Sequence, residues 1–132
     1  MDVETPEDMA TYELVHFITY PIRFALINSI LQHPEQLPSM YELEELNADV
    51  SGATVYKHVQ KLIDADVVKE ISLYEQRRQG YPWKFYGLTK DGHEVLERHN
   101  LLDSELPDIY GTISNKPAKM IKYEDAPRPD KD

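Results

Sequence analysis

Apolar positions recur at helical spacing through the first half of the chain and then switch to alternation. Residues 7–19 (EDMATYELVHFIT) place Met9, Tyr12, Val15 and either Leu14 or Ile18 together, which predicts an amphipathic helix. Tyr20 and Pro21 punctuate it, because Pro suits the first turn of a helix and disfavours helix in the residue before it. A second helix over 22–32 carries Ile22, Ala25, Leu26, Ile30 and Leu31 as a stripe, is expected to be largely buried, and stops at HPEQLP. Ser39 with Glu42 fits a capping box opening a short helix through Tyr41, Leu43 and Leu46. The stretch NADVS supplies turn residues, and Ser51 is placed to cap the next helix. From Gly52 the apolar positions Val55, Val59, Leu62 and Ile63 fall on one face, leaving Thr54, Lys57, His58 and Lys61 opposite, with Tyr56 and Gln60 at the borders.

After Ala65 the period shortens to two. VVKEISLY and WKFYGL read as strands, with EQRRQGYP between them as a hairpin loop. Alternation sends Trp83 and Phe85 to one face, as core packing, and Lys84 and Tyr86 to the other. Thr89 caps a last helix through Val95, Leu96 and Leu101. Beyond Asp103 the periodicity fades among Pro107, Pro117, Pro127 and Pro129, and the final YEDAPRPDKD is expected to lack order.

A length of 132 residues suits one domain. No stretch approaches the roughly 18 apolar residues of a membrane span. The acidic start MDVETPEDMA lacks the apolar region of a secretory signal, so the expected location is cytoplasmic and no membrane partner is expected. There are no cysteines, which removes disulfides, thiol chemistry and Cys-based metal sites.

The net charge of -10 argues against a polyanionic partner until its distribution is considered. Residues 1–50 hold one basic residue, Arg23, against ten acidic ones. Residues 51–90 hold seven basic against four acidic, and residues 91–132 six basic against ten acidic. Positive charge is thus concentrated in the segment containing the fourth helix and the hairpin. The acidic surface also matches proteins of salt-accumulating cells, where carboxylates keep a chain hydrated.

The order helix, helix, short helix, turn, helix, hairpin, helix contains a helix-turn-helix at 39–63 followed by a wing. MYELEELNADVSGATVYKHVQKLIDADVV resembles the core of winged helix-turn-helix transcriptional regulators of the ArsR, MarR and PadR kind, and LTKDGHEVL is similar to the segment that commonly follows their wing. The resemblance covers residues 22–101, and in style it is nearest to haloarchaeal PadR-like regulators of oxidative stress. Asp66 departs from the pattern where many such proteins have Gly, although Asp tolerates a left-handed conformation. The cysteine metal motif of metal-sensing ArsR proteins is missing.

The resemblance implies an α+β, mainly helical fold: a winged helix-turn-helix with a two-stranded β-hairpin wing and flanking dimerisation helices. It implies a DNA-binding and dimerisation domain over 1–103, with 104–132 as a polar, partly disordered tail. It further implies a homodimeric, sequence-specific regulator, a repressor or dual regulator responsive to stress, with residues 51–63 in the major groove and the wing 74–84 on the flanking groove or backbone of double-stranded DNA. Residue chemistry agrees at Ser51, Thr54, Tyr56, Lys57, His58, Gln60 and Lys61, each able to contact phosphates or base edges, and at Arg77, Arg78 and Lys84 in the wing. Tyr12, Val15, Phe17, Ile18, Val95, Leu96, Leu101 and Leu102 are the apolar surplus available to the dimer. At high salt, cations lodged between acidic residues and DNA would have to support binding.

Competing chemistry is thin. His16, His33, His58, His93 and His99 show no i, i+4 pair, so no metal or other cofactor is expected within one chain. Glu42, Glu44 and Glu45 read as a solvated helix face rather than a catalytic pair. No nucleophile-elbow, Walker or dinucleotide-binding pattern occurs, so an enzyme is not expected. The rival reading is a winged-helix protein-interaction module of a transcription or chromatin assembly, using the acidic face of residues 1–50 to hold a basic partner.

Overall fold

A computed structural model describes residues 6–77, 80–102 and 116–130, with the backbone alone at 6–11. Its elements are α1 (Pro6–Ile18), α2 (Pro21–Gln32), α3 (Met40–Leu46), α4 (Gly52–Asp64), β1 (Val68–Ser72), a 3-10 turn (Tyr74–Gln76), β2 (Lys84–Leu88), α5 (Lys90–Arg98) and α6 (Ala118–Asp125). β1 and β2 pair antiparallel, with Val68 opposite Leu88 and Ser72 opposite Lys84. The stretch before α3 adds one further bond to this sheet, Tyr86 N donating to Pro38 O at 2.9 Å.

Local chemistry sets the helix ends. Ser39 Oγ accepts from Glu42 N while Glu42 Oε1 accepts from Ser39 N at 3.0 Å, which completes the capping box. Ser51 Oγ accepts from Thr54 N at 3.1 Å, and Thr89 Oγ1 from Gly92 N at 2.8 Å. Asp66 has φ 60° and ends α4 in a Schellman turn, with Val67 N donating to Leu62 O and Asp66 N to Ile63 O. Gly92 is obligatory for packing, because a Cβ there would lie 2.4 Å from Val67 O.

The core gathers Ile18, Leu26, Ile27, Ile30, Leu43, Val55, Val59, Leu62, Val68, Tyr86 and Leu96. Burying Val55, Val59 and Leu62 contributes about 1.5–3 kcal/mol each, which fixes the rotation of α4 and hence the face it turns outward. Ile18 and Leu96 belong to the core of the single chain. They are therefore not available as dimer surface, whereas Val15, Phe17, Val95, Leu101 and Leu102 stay half-buried and Tyr12 is exposed.

Two expectations need correction. Phe85 and Tyr86, neighbours in β2, are both buried, although alternation predicted opposite fates. The sheet is covered twice: Tyr86 faces the helical core, and Phe85 lies beneath the guanidinium of Arg128, 4.5 Å from its ring centre. The cover is the C-terminal segment, where order was not expected. Met120 and Ala126 are buried, and Arg128 donates to Leu37 O at 2.8 Å, Tyr123 O at 2.7 Å and Ala126 O at 2.8 Å.

Glu42 is the second correction, since it is completely buried rather than solvated. Its Oε1 accepts from Arg128 Nη2 at 2.5 Å, and its Oε2 lies 2.8 Å from His33 Nε2. His33 Nδ1 accepts from the N–H groups of Glu35 and Leu37, so Nε2 carries the proton and donates to Glu42. Burial alone would raise the Glu42 carboxyl. The His33 hydrogen bond, the Arg128 charge and the Ser39 N–H outweigh it and hold the group below the ordinary carboxylate value.

Candidate nucleic-acid interface

With Val55, Val59 and Leu62 turned inward, α4 and its cap expose Ser51, Tyr56, Lys57 and Lys61 and leave Thr54 and Gln60 half-buried. Lys57 and Lys61 are one turn apart on the same side. The Ser51 and Thr54 hydroxyls lie 2.9 Å apart at the helix start, next to first-turn N–H groups that no carbonyl within the helix can satisfy. Glu44 also approaches this end, since a Cβ on Gly52 would sit 3.0 Å from its Oε1.

His58 is the residue of this set that the structure removes from the outward face. It is only 9 % exposed, its ring stacked on Tyr20 at 5.9 Å, with Nδ1 3.3 Å from Arg23 Nη1. At 100° per residue positions 58 and 62 differ by only about 40°, so a residue assigned to the polar face shares its side with Leu62. Arg23, the one basic residue of the first 50, is fixed by donating Nε–H to Phe17 O at 2.7 Å and by lying over the Phe17 and Tyr20 rings. The cluster joins the α1–α2 elbow to α4. Burial, then the charges of Arg23, Lys61 and Lys57, pushes the His58 pKa down.

In the hairpin, Leu73 N donates to Trp83 O at 2.6 Å and closes the loop. Arg77 is exposed, lies over the Tyr74 ring at 4.0 Å and bonds the Tyr74 hydroxyl. Lys84 is exposed with Nζ 4.8 Å above Trp83, and Tyr74 meets Trp83 edge to face. Arg78 lies outside the described residues.

Sequence reading missed two basic residues, one of which the fold brings to the same hairpin and the other to α3. Lys122 Nζ stands 5.0 Å over the Tyr81 ring, and Lys119 Nζ stands 4.4 Å over Tyr41 at the start of α3. The signal available was the run KPAKMIKYED, whose lysines at 116, 119 and 122 have helical spacing, but prolines on both sides masked it.

No family model matches the chain, and no curated protein matches it. Among solved structures, a protein with a GntR superfamily winged-helix-turn-helix domain from Halomicrobium mukohataei superposes with a TM-score of 0.85, over 99% of this chain and 94% of that one, at 22% identity. The fold is a winged helix. Diamide-treated YodB from B. subtilis superposes with a TM-score of 0.59, over 76% of this chain and 89% of its own, at 13% identity. Within the winged helix, α3 and α4 are the helix-turn-helix, and β1, β2 and the loop between them are the wing. Among the described residues, no group of three His, Asp or Glu side chains could hold a metal ion, and no single helix is long and apolar enough to cross a membrane.

Proposed function

We propose that this winged helix is a sequence-specific, DNA-binding transcriptional regulator acting as a homodimer in the cytoplasm. The observation that carries the reading is the outward face of α4: Ser51, Tyr56, Lys57 and Lys61 are exposed on a helix bolted to the core, in a chain whose first 50 residues have a net charge of -9. Placed in a major groove, Lys57 and Lys61 reach phosphates or guanine edges, Ser51 and Thr54 meet backbone phosphate at the helix start, and Arg77 and Lys84 meet the flanking strand. Arg78 belongs to the same wing and carries the same expectation.

A single winged helix reads few base pairs, so specificity calls for two copies with their α4 helices about 34 Å apart. Exposed Tyr12 and half-buried Val15, Phe17, Val95, Leu101 and Leu102 supply apolar surface for that pairing. At the salt of a halophilic cell, about 4 phosphate contacts would lose on the order of 10⁴ in affinity between roughly 0.2 and 3 M. Shape fit, base contacts and cations shared between carboxylates such as Glu44 and the DNA then have to carry binding. A stress signal would act without thiols, since the chain has no cysteine.

The test is selection of duplexes from a random-sequence library by the wild-type chain, followed by titration of the selected duplex. Lys57→Ala/Lys61→Ala is expected to weaken binding at least about tenfold and to flatten its salt dependence. Unchanged affinity, or failure of the wild type to enrich any duplex, would overturn the reading in favour of a protein-interaction module.

A further inference from the structure

The C-terminal helix is more than a cover for the sheet. One side of α6 buries Met120 and half-buries Tyr123, while Lys119 and Lys122 remain exposed on the side toward the wing and the start of α3. Tyr41 and Tyr123 meet edge to face at 5.2 Å, and Lys119 Nζ lies over both rings, at 4.4 and 5.3 Å. Beside them a groove of about 330 Å³ runs between α3 and the wing, with Tyr41, Tyr81, Trp83 and Lys84 among its walls. Among the described residues, no carboxylate forms an ion pair with Lys84, Lys119 or Lys122. Each is held instead on an aromatic face, which orients an ammonium group without cancelling its charge. Burial, then the nearby Glu45 carboxylate, pushes the Tyr41 hydroxyl's pKa up.

The position of this rim gives it meaning. In helix-turn-helix docking the first helix of the motif crosses the phosphate backbone. That helix here is α3, and a groove opening between it and the wing faces the strand that such docking brings past. α6 is anchored there independently of any ligand: Arg128 bonds Glu42 on α3, and Gln76 Nε2 in the wing loop donates to Pro82 O at 3.0 Å and Pro127 O at 3.3 Å.

We infer that α6 is a third nucleic-acid-contacting element, in which Lys119 and Lys122, seated on Tyr41 and Tyr81, bind phosphates of the backbone flanking the site faced by α4. The inference rests on the DNA-binding reading above and extends the footprint outward. It predicts affinity without sequence preference from this element, since phosphate contacts position a protein but do not read bases.

The experiment uses the full chain and the duplex enriched from the random-sequence library. Lys119→Ala/Lys122→Ala is expected to lower the slope of log affinity against log salt by about 1.8, at about 0.9 per phosphate. It should also remove hydroxyl-radical protection at the outer edges while leaving the preferred sequence unchanged. Lys119→Arg/Lys122→Arg should restore both. Because both lysines are exposed, unfolding midpoints should match the wild type, and Lys119→Gln/Lys122→Gln repeats the measurement with longer side chains. If slope and footprint stay at wild-type values while Lys57→Ala/Lys61→Ala still loses binding, α6 is not a DNA contact although the regulator reading survives. If the wild type enriches no duplex, both fall.

Discussion

Among the described residues two histidines lie against an arginine, and they are held in opposite ways. His33 and Arg128 share Glu42, so the cluster contains a carboxylate that both of them, together with Ser39 N–H, satisfy. His58 faces Arg23, and among the described residues no carboxylate shifts it; its ring is backed by Tyr20, and its own helix adds Lys57 and Lys61. The first arrangement favours charge in the interior and fastens α6 and the stretch before α3 onto the helix-turn-helix. The second favours a neutral ring, and it joins the α1–α2 elbow to the helix that faces DNA in the proposed function. One is a bolt, the other a joint whose strength depends on protonation.

The largest expected effect comes from cutting the bolt. Arg128→Ala leaves Glu42 buried without its guanidinium partner, and breaking such a pair costs about 3–5 kcal/mol. Chemical denaturation should show that loss, and hydrogen exchange should show residues 118–125 opening ahead of the core. A loss below about 1 kcal/mol would mean that the strap is held by Met120 and Ala126 packing, and the contrast between the two clusters would vanish.

How much of this was legible in the sequence divides along the same line. Ser39, Ser51, Thr89 and Asp66 announce helix ends because capping is settled within a few residues, and the structure uses all four as expected. Tyr56, Lys57, Lys61, Arg77 and Lys84 are exposed because the apolar stripe of α4 and the hairpin pattern are local too. Glu42 was misplaced because its partner Arg128 lies 86 residues away, in a proline-flanked segment without apolar periodicity. The burial of Phe85 depends on the same distant segment. His58 failed for a different reason: a polar residue at the edge of an apolar stripe is turned inward only when another element, here Tyr20 and Arg23, waits to receive it.

A smaller effect sharpens the comparison on the side of the bolt. The folded-state pKa of Glu42 is lowered, so its stabilisation is complete above the ordinary value of 4.5 and is lost as pH falls below it and through the folded-state value. Glu42→Gln should therefore be less stable than the wild type near neutrality, and the gap should close in acid. Unfolding midpoints between about pH 3 and pH 7 would show it. A gap independent of pH would mean that Glu42 acts by shape and hydrogen bonding rather than charge.

The smallest effect belongs to the joint, and it falls in a different window. A histidine whose folded-state pKa is depressed binds its proton more readily unfolded, so stability is unaffected well above the ordinary value of 6.5 and declines as pH falls through it toward the lower folded-state value. Protonated Nδ1 could no longer accept from Arg23, and the new charge would face Arg23, Lys57 and Lys61 together. Mild acid should thus loosen the elbow from α4 before Glu42 titrates at all. In DNA titrations, wild-type affinity should drop as pH falls below the ordinary histidine value of 6.5, although adding positive charge near phosphate would by itself strengthen binding. His58→Phe keeps the ring against Tyr20 and removes the titration, so its affinity should be nearly flat over the same fall in pH. If the wild type instead binds more tightly as pH falls, His58 is acting as a cation toward the DNA, and the inward ring is not what governs it.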